Sequence, residues 1–397
     1  MRRRGALPLP ALSRPTPLTG RLPAALPGAV LAGAAIVLLS FADGGFFPAS
    51  WRAATVAFLC TAALAFVLRG RVSLERSQVA VLVALAGLTA WTALSAVWSP
   101  DSGNTFLEAQ RTLVYLSFAV AAAAVAGALR SGVLAGTGLV CGYALGQRLL
   151  QGPPDPPDPF EGTLLQEPLG YANGLGGLAA IGLAIAISRF VVDRRLRPLH
   201  GALATIFVVT LWLTESRGGW VAALVGAAVA LALGAGRARV ARIVAATAAV
   251  ALAVALALPG GSLADDLAAP AGDRAWYWNV AWQEVAEAPL VGKGAGTFEL
   301  AWLERQPIQQ PVLDAHSLYL ETLAELGLVG LALLGLALAP PLAAAFRGTD
   351  AAAAGGYVAF LIHAGVEWDW ELPAVTVAGL ACAAALLVRE RASYGAL

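Results

Sequence analysis

The stretch "DAHSLYLETLAELGLVG" (Asp314–Gly330) places an aspartate, a histidine and two glutamates in the opening turns of a run that stays apolar to Ala345. A helix needs about 20 apolar residues to cross the hydrocarbon core of a bilayer, and this run is long enough. Ionisable groups at a membrane boundary cost free energy unless they are paired, solvated or used. Whether the segment spans a membrane decides the fold. Why it begins with charge decides where to look for chemistry.

Composition answers the first question. The chain has 397 residues, 58% of them hydrophobic and 13% charged, with a mean hydropathy of +0.72. Soluble domains carry about 25% charge, so this is an integral membrane protein. Apolar runs of spanning length lie at 26–42, 51–68, 78–98, 112–129, 132–150, 171–189, 199–215, 219–236, 240–258, 317–345, 352–366 and 372–388. They predict an all-α, polytopic fold of about twelve transmembrane helices, with one large external loop that carries short interfacial helices.

Charge sets the expected orientation. With the N-terminus in the cytoplasm, all of the 26 basic residues fall inside except Arg52, Arg111, Arg148, Arg217, Arg274, Lys293 and Arg305. Of the 25 acidic residues, only Glu75, Asp193, Asp350 and Glu390 fall inside. The positive-inside rule therefore places both termini in the cytoplasm. The net charge of +1 conceals this asymmetry and gives no ground for nucleic-acid binding. Ser40-Phe41-Ala42 resembles a signal-peptide cleavage site, but the apolar stretch before it is longer than a typical signal core and reads as an uncleaved first span. Cys60, Cys141 and Cys382 all lie in apolar runs, which argues against disulfides and cysteine metal sites.

Two domain-scale features follow. Residues 1–25 form a basic, Pro-rich cytoplasmic tail expected to be disordered. Residues 26–397 form a single transmembrane domain that includes an external loop at 259–315. A second external loop, "QGPPDPPDPFEGTLLQEP" (151–168), is stiffened by prolines that forbid regular helix. In the large loop, "DRAWYWNVAWQEVAEAP" (273–289) reads as a short helix with Asp273 at its N-cap and Pro289 after its end. Trp278, Trp282 and Val285 recur at helical spacing, so this helix is expected to lie along the membrane interface.

The informative residues are those that break the topology rule. Arg217, in "TESRGGW" (214–220), precedes two glycines that permit close backbone approach to a ligand. Arg274 begins the Trp-rich helix, and Arg111 closes a third outer loop. Each also reads as an ordinary solvated or headgroup arginine. His316 stands out by its company: Asp314, Ser317, Glu321 and Glu325. The last three are spaced to form one polar stripe facing the protein interior. His363 and Glu367 are four residues apart near an outer helix end and read as structural. "GKGAGT" (292–297) lacks the spacing of a phosphate-binding loop. The acidic pairs Asp265-Asp266 and Asp155/Asp158 make poor cation sites, and no His/Cys cluster has zinc spacing.

Taken together, "TALSAVWSPDSGNTFLEAQR" (92–111), "GYANGLGG" (170–177), "TESRGGW", "DRAWYWNVAWQEVAEAPLVGKGAGTF" (273–298) and "AHSLYLETLAELGLVG" (315–330) resemble the O-antigen ligase and polymerase family. The resemblance spans roughly residues 78–390 and is strongest from Ser216 to Gly330. It implies a glycosyltransferase at the outer face of the cytoplasmic membrane. The donor would be a glycan on undecaprenyl pyrophosphate, the acceptor a hydroxyl on a glycan or lipid, and no metal or other cofactor would be used. By motif, Arg217 and Arg274 resemble pyrophosphate-binding arginines and His316 resembles the acceptor-activating histidine. Arg111, Asn173 and Glu321 are further candidates for supporting roles, outside those motif matches. Arginine suits the first role because its guanidinium stays ionised and matches phosphate oxygens in pairs. Histidine suits the second because its ordinary pKa lies near neutrality. Ligase and polymerase are left open, as are a polytopic solute transporter and a non-catalytic assembly partner. A transporter should show interrupted helices and polar groups near the bilayer midplane.

Overall fold

The computed structural model describes residues 26–125, 127–234, 272–347 and 350–388. The expected tail at 1–25, the expected span at 240–258 and residues 259–271 of the large loop lie outside the described residues. The regular elements are helices: α1 (Leu26–Ser40), α2 (Pro48–Arg69), α3 (Arg76–Ser95), α4 (Ser102–Val125), α5 (Leu129–Gln151), α6 (Ala172–Val192), α7 (Arg197–Thr214), α8 (Arg217–Gly234), α9 (Arg274–Glu287), α10 (Phe298–Arg305), α11 (Leu318–Phe346), α12 (Ala351–His363) and α13 (Pro373–Leu387). Among the described residues, α2, α3, α5, α6, α7, α8 and α11 are long and apolar enough to cross a membrane. The expected count of about twelve is not reached on that criterion. α1, α12 and α13 are apolar but shorter, and α4 carries Glu108 and Arg111 within its length. The large loop does carry two short helices, α9 and α10.

Local chemistry marks the helix ends. Glu75 and Gln78 form a reciprocal capping box at the start of α3. Gly70, at φ +67°, closes α2 in the left-handed conformation that glycine adopts without strain. Asp350 caps α12 by accepting from the Ala353 amide at 3.1 Å and also pairs with Arg130 on α5.

Small residues set the packing. Lipid offers little hydrophobic drive between spans, so association relies on close van der Waals contact. α13 is almost wholly Ala, Val, Leu and Gly, is nearly all buried, and runs against α1, α4, α5, α6, α11 and α12. α8 crosses α12 at Gly226 and Gly355 so closely that a Cβ on Gly226 would meet the Gly355 carbonyl at 2.5 Å.

α11 is one helix in two pieces. Gly327 adopts φ 67°, ψ −168°, a combination open essentially only to glycine, and it interrupts the helical ladder. Backbone groups freed inside a bilayer-spanning helix must be satisfied by protein, and the loop after α9 does this. Lys293 and Gly294 donate to the carbonyls of Ala324 and Glu325 at 3.2 and 2.8 Å. Leu328 and Val329 donate to those of Pro289 and Leu290 at 2.9 and 3.3 Å. The Trp91 indole of α3 takes the Leu326 carbonyl at 3.0 Å. The Glu325 carboxylate accepts from the amides of Gly296, Thr297 and Phe298 at 2.8, 2.8 and 3.0 Å, at the start of α10. "GKGAGT" is therefore a clasp: Gly292 admits the Glu325 backbone, and Gly294 and Gly296 leave room for Ser99 and Asn104.

Gly327→Ala should cost at least about 1–3 kcal/mol, the range for a strained backbone conformation. The added Cβ would also lie 2.3 Å from the Leu290 backbone. Thermal unfolding in detergent, followed by tryptophan fluorescence, should show a lower midpoint. Gly335→Ala on the same helix, where a Cβ meets nothing within 4 Å, should leave it unchanged or raise it.

Candidate functional site

Three helix N-termini meet at the end of the bundle where α5 finishes. α6 brings Tyr171 and Asn173, α8 brings Arg217 and Gly218, and α9 brings Asp273, Arg274, Tyr277 and Trp278. His316, just before α11, and Ile362, Val366 and Glu367, at the end of α12 and in the turn beyond it, complete the wall. Together they line a cavity of about 440 Å³. Helix N-termini carry partial positive charge and favour anions. The cavity therefore combines two guanidinium groups with three such ends.

His316 is held by its surroundings. Its backbone lies at φ +52°, a left-handed conformation that costs a residue with a Cβ about 1–3 kcal/mol and persists only where neighbours impose it. The neighbours are identifiable. The Ala315 amide donates to Glu321 Oε2 at 2.7 Å, and the Leu318 amide donates to the Ala364 carbonyl at 2.9 Å. Nδ1 lies 3.0 Å from the Asp314 carbonyl. A carbonyl can only accept, so Nδ1 carries the proton and Nε2 is left with its lone pair. Burial lowers the imidazole pKa to about 4; the Asp314 carbonyl opposes this and the Arg274 charge adds to it. His316 is thus a neutral acceptor at physiological pH.

Arg274 is aimed by Glu367, which pairs with its guanidinium through Oε1. Glu367 is almost fully buried, and its Oε2 accepts from the Tyr171 hydroxyl at 2.6 Å. Asn173 Nδ2 donates to that same hydroxyl at 3.1 Å. Glu367 was read from sequence as structural beside His363. Instead it belongs to the cavity wall, and the two residues take different partners. His363 Nδ1 bonds Asp369 at 2.7 Å, both side chains fully buried. The spacing of four residues was visible in the sequence, whereas Glu367's true partner, Arg274, is 93 residues away.

The remaining sequence candidates sit behind the wall. Glu321 is not among the cavity-lining residues; it fixes the backbone beside His316. Arg111 is buried in α4, paired with Glu108 and, at 3.3 Å, with Glu371, and stacked 5.2 Å from the Trp51 ring. Ser317, Glu321 and Glu325 do form an inward stripe, but both glutamates bind backbone amides rather than the cavity. The Trp-rich helix has one face on protein and another, with Trp276 and Trp282, exposed. α9 buries Tyr277, Val280, Ala281 and Glu284 against α10 and α11, with Trp278 and Val285 half-buried and Trp282 exposed. Among the described residues, Asp314, Glu321 and Glu371 present carboxylate oxygens within 4.8 Å of one another, the spacing of a cation site. Arg111 stands against this cluster, and burial raises the Asp314 pKa to about 7.

Fold and cavity define a multi-pass membrane protein with a chamber at one end of the bundle, walled by two arginines and a neutral histidine. Residues 201–335 match the family described as O-antigen ligase, which bears out the resemblance read from the motifs over that segment. The matched segment contains Arg217, Arg274 and His316. No curated protein matches the chain.

If the cavity takes a diphosphate, Arg217→Ala and Arg274→Ala should each weaken binding of inorganic pyrophosphate by about tenfold to a hundredfold, the worth of a hydrogen bond to a charged group. Isothermal titration on the detergent-solubilised protein reads this directly. Arg111→Ala should leave the affinity within about threefold, a small fraction of that worth.

Proposed function

We propose that this protein is a membrane glycosyltransferase of the polysaccharide ligase or polymerase type. It moves a glycan from undecaprenyl pyrophosphate to an acceptor hydroxyl at the outer face of the cytoplasmic membrane, without a metal ion, and both its termini are cytoplasmic. One observation carries this reading: Arg217, Arg274 and His316 line a single cavity. The positive-inside charge pattern supports the orientation.

The chemistry follows from the geometry. The acceptor oxygen attacks the anomeric carbon of the donor sugar, and its proton passes to Nε2 of His316. The bond from that carbon to the pyrophosphate oxygen breaks, and its electron pair leaves with the pyrophosphate. Arg217 and Arg274 stabilise the charge that develops there, with the N-termini of α6, α8 and α9 adding to the field. Glu367, Tyr171 and Asn173 orient Arg274. Glu321 fixes the loop that bears His316, and Arg111 holds α4 to the acidic cluster beneath it. The interruption in α11 is the feature a transporter would share, but its freed backbone groups bond the loop after α9 rather than line the cavity.

Purified protein should transfer glycan from the lipid pyrophosphate donor in the presence of EDTA; strict dependence on a divalent cation would direct attention to Asp314, Glu321 and Glu371. His316→Ala should lose about 10²- to 10⁴-fold in rate, the usual contribution of a general base. Full activity in that variant would overturn the assignment. Extension of the donor's own glycan marks a polymerase, and transfer to a different lipid marks a ligase.

The pH profile supplies a further check. His316 works as a base only when neutral, so kcat/KM should hold steady from pH 7 downwards and fall towards about 4. Bound pyrophosphate places negative charge beside the imidazole and favours its protonated form. The corresponding fall in kcat should therefore lie at higher pH than that in kcat/KM.

A further inference from the structure

A second cavity, of about 370 Å³, opens at the same end of the bundle, between the last turns of α5 and the proline-rich loop that leads into α6. Its polar wall consists of Gln147, Gln151 and Gln166, together with Arg148, Asp155 and Glu167. Three carboxamides, two carboxylates and one guanidinium do not make an anion site, and they are too polar to hold a lipid tail. The carboxamides both donate and accept, the guanidinium donates and the carboxylates accept, a planar set that matches neighbouring sugar hydroxyls.

The loop is built to hold its shape. The Asp158 carboxylate accepts from the Phe160 and Glu161 amides, each at 2.8 Å, and Leu165 donates to the Leu213 carbonyl of α7 at 3.0 Å. Arg148 ties α5 to the loop through the Thr163 carbonyl at 2.6 Å. Among the described residues, Gln147 and Gln151 give their carboxamides to no other group of the chain. The loop also joins the two cavities directly. Glu167 lines the second and Tyr171 lines the first. Four residues of chain cover at most about 14 Å, a gap that a short oligosaccharide bridges.

We propose that this second cavity is a carbohydrate-binding subsite that holds a segment of glycan while its reducing or accepting end is in the chamber of Arg217, Arg274 and His316. The inference rests on the glycosyltransferase reading above. The glycan could belong to the donor or to the acceptor, and the two are separated by varying each substrate in turn.

The test uses the full-length purified protein, lipid-linked glycan extracted from host membranes and an acceptor series, comparing wild type with the double variant Gln147→Ala/Gln151→Ala and with Arg217→Ala. The double variant should raise KM for one substrate by about tenfold or more, the loss expected from removing a few hydrogen bonds. It should leave kcat and the thermal midpoint unchanged. A rise confined to the donor assigns the subsite to the donor glycan, and one confined to the acceptor assigns it to the acceptor. If wild type transfers glycan, Arg217→Ala does not, and the double variant keeps wild-type KM for both substrates, the subsite is overturned while the parent function stands. If wild type transfers nothing, both fall.

Discussion

The clasp between the interrupted helix α11 and the loop after α9 is the constraint on which the chamber depends. A helix broken within a membrane bundle leaves carbonyls and amides that lipid cannot satisfy. Here the backbone of Pro289 to Gly294 takes them, and Glu325 then binds the three amides that begin α10. That single junction ties α11 to α9 and α10, and through Ser95, Asn104 and Thr105 it also ties the loop to α3 and α4. Arg274 and His316 lie on either side of the clasp in sequence. Their relative position is therefore fixed by the backbone hydrogen bonds of the clasp together with the buried carboxylates of Glu321, Glu325 and Glu367.

Within that frame the chamber separates its charges by burial. Glu367 sits deep and pairs with Arg274, while the imidazole of His316 is desolvated and stays neutral beside the guanidinium. In the proposed transfer from a pyrophosphate, the neutral imidazole would take a proton while the guanidinium groups hold the anionic leaving group. The strain at His316 has the same logic. Glu321 and the Asp314 carbonyl hold a residue that would otherwise relax out of the left-handed region, and so keep Nε2 unbonded within the chain.

Much of the site was legible because it breaks a pattern. Arg217, Arg274 and His316 stand out as polar groups on the expected outer side of an apolar chain, and the structure places all three on one cavity wall. The spacing of four residues groups Glu367 with His363, whereas its partner in the fold is Arg274, 93 residues away. Glu321 and Glu325 were correctly placed on one inward stripe, but no spacing rule shows that they bind backbone amides. The sequence of "GKGAGT" excludes a phosphate-binding loop without saying what the segment does; its neighbours are α11 at Gly292, Ser99 at Gly294 and α4 at Gly296.

The sequence by itself determined the helical membrane class, most helix positions, the expected orientation and three of the polar residues of the chamber, Arg217, Arg274 and His316. Hydropathy and charge are local properties, and the bilayer reads them along the chain. Only the tertiary structure decided that α11 is interrupted at Gly327, that Arg274 is aimed by Glu367, and that α9 buries Tyr277, Val280 and Ala281 against α10 and α11. These depend on contacts between segments far apart in the chain, where geometry chooses the partner and composition does not.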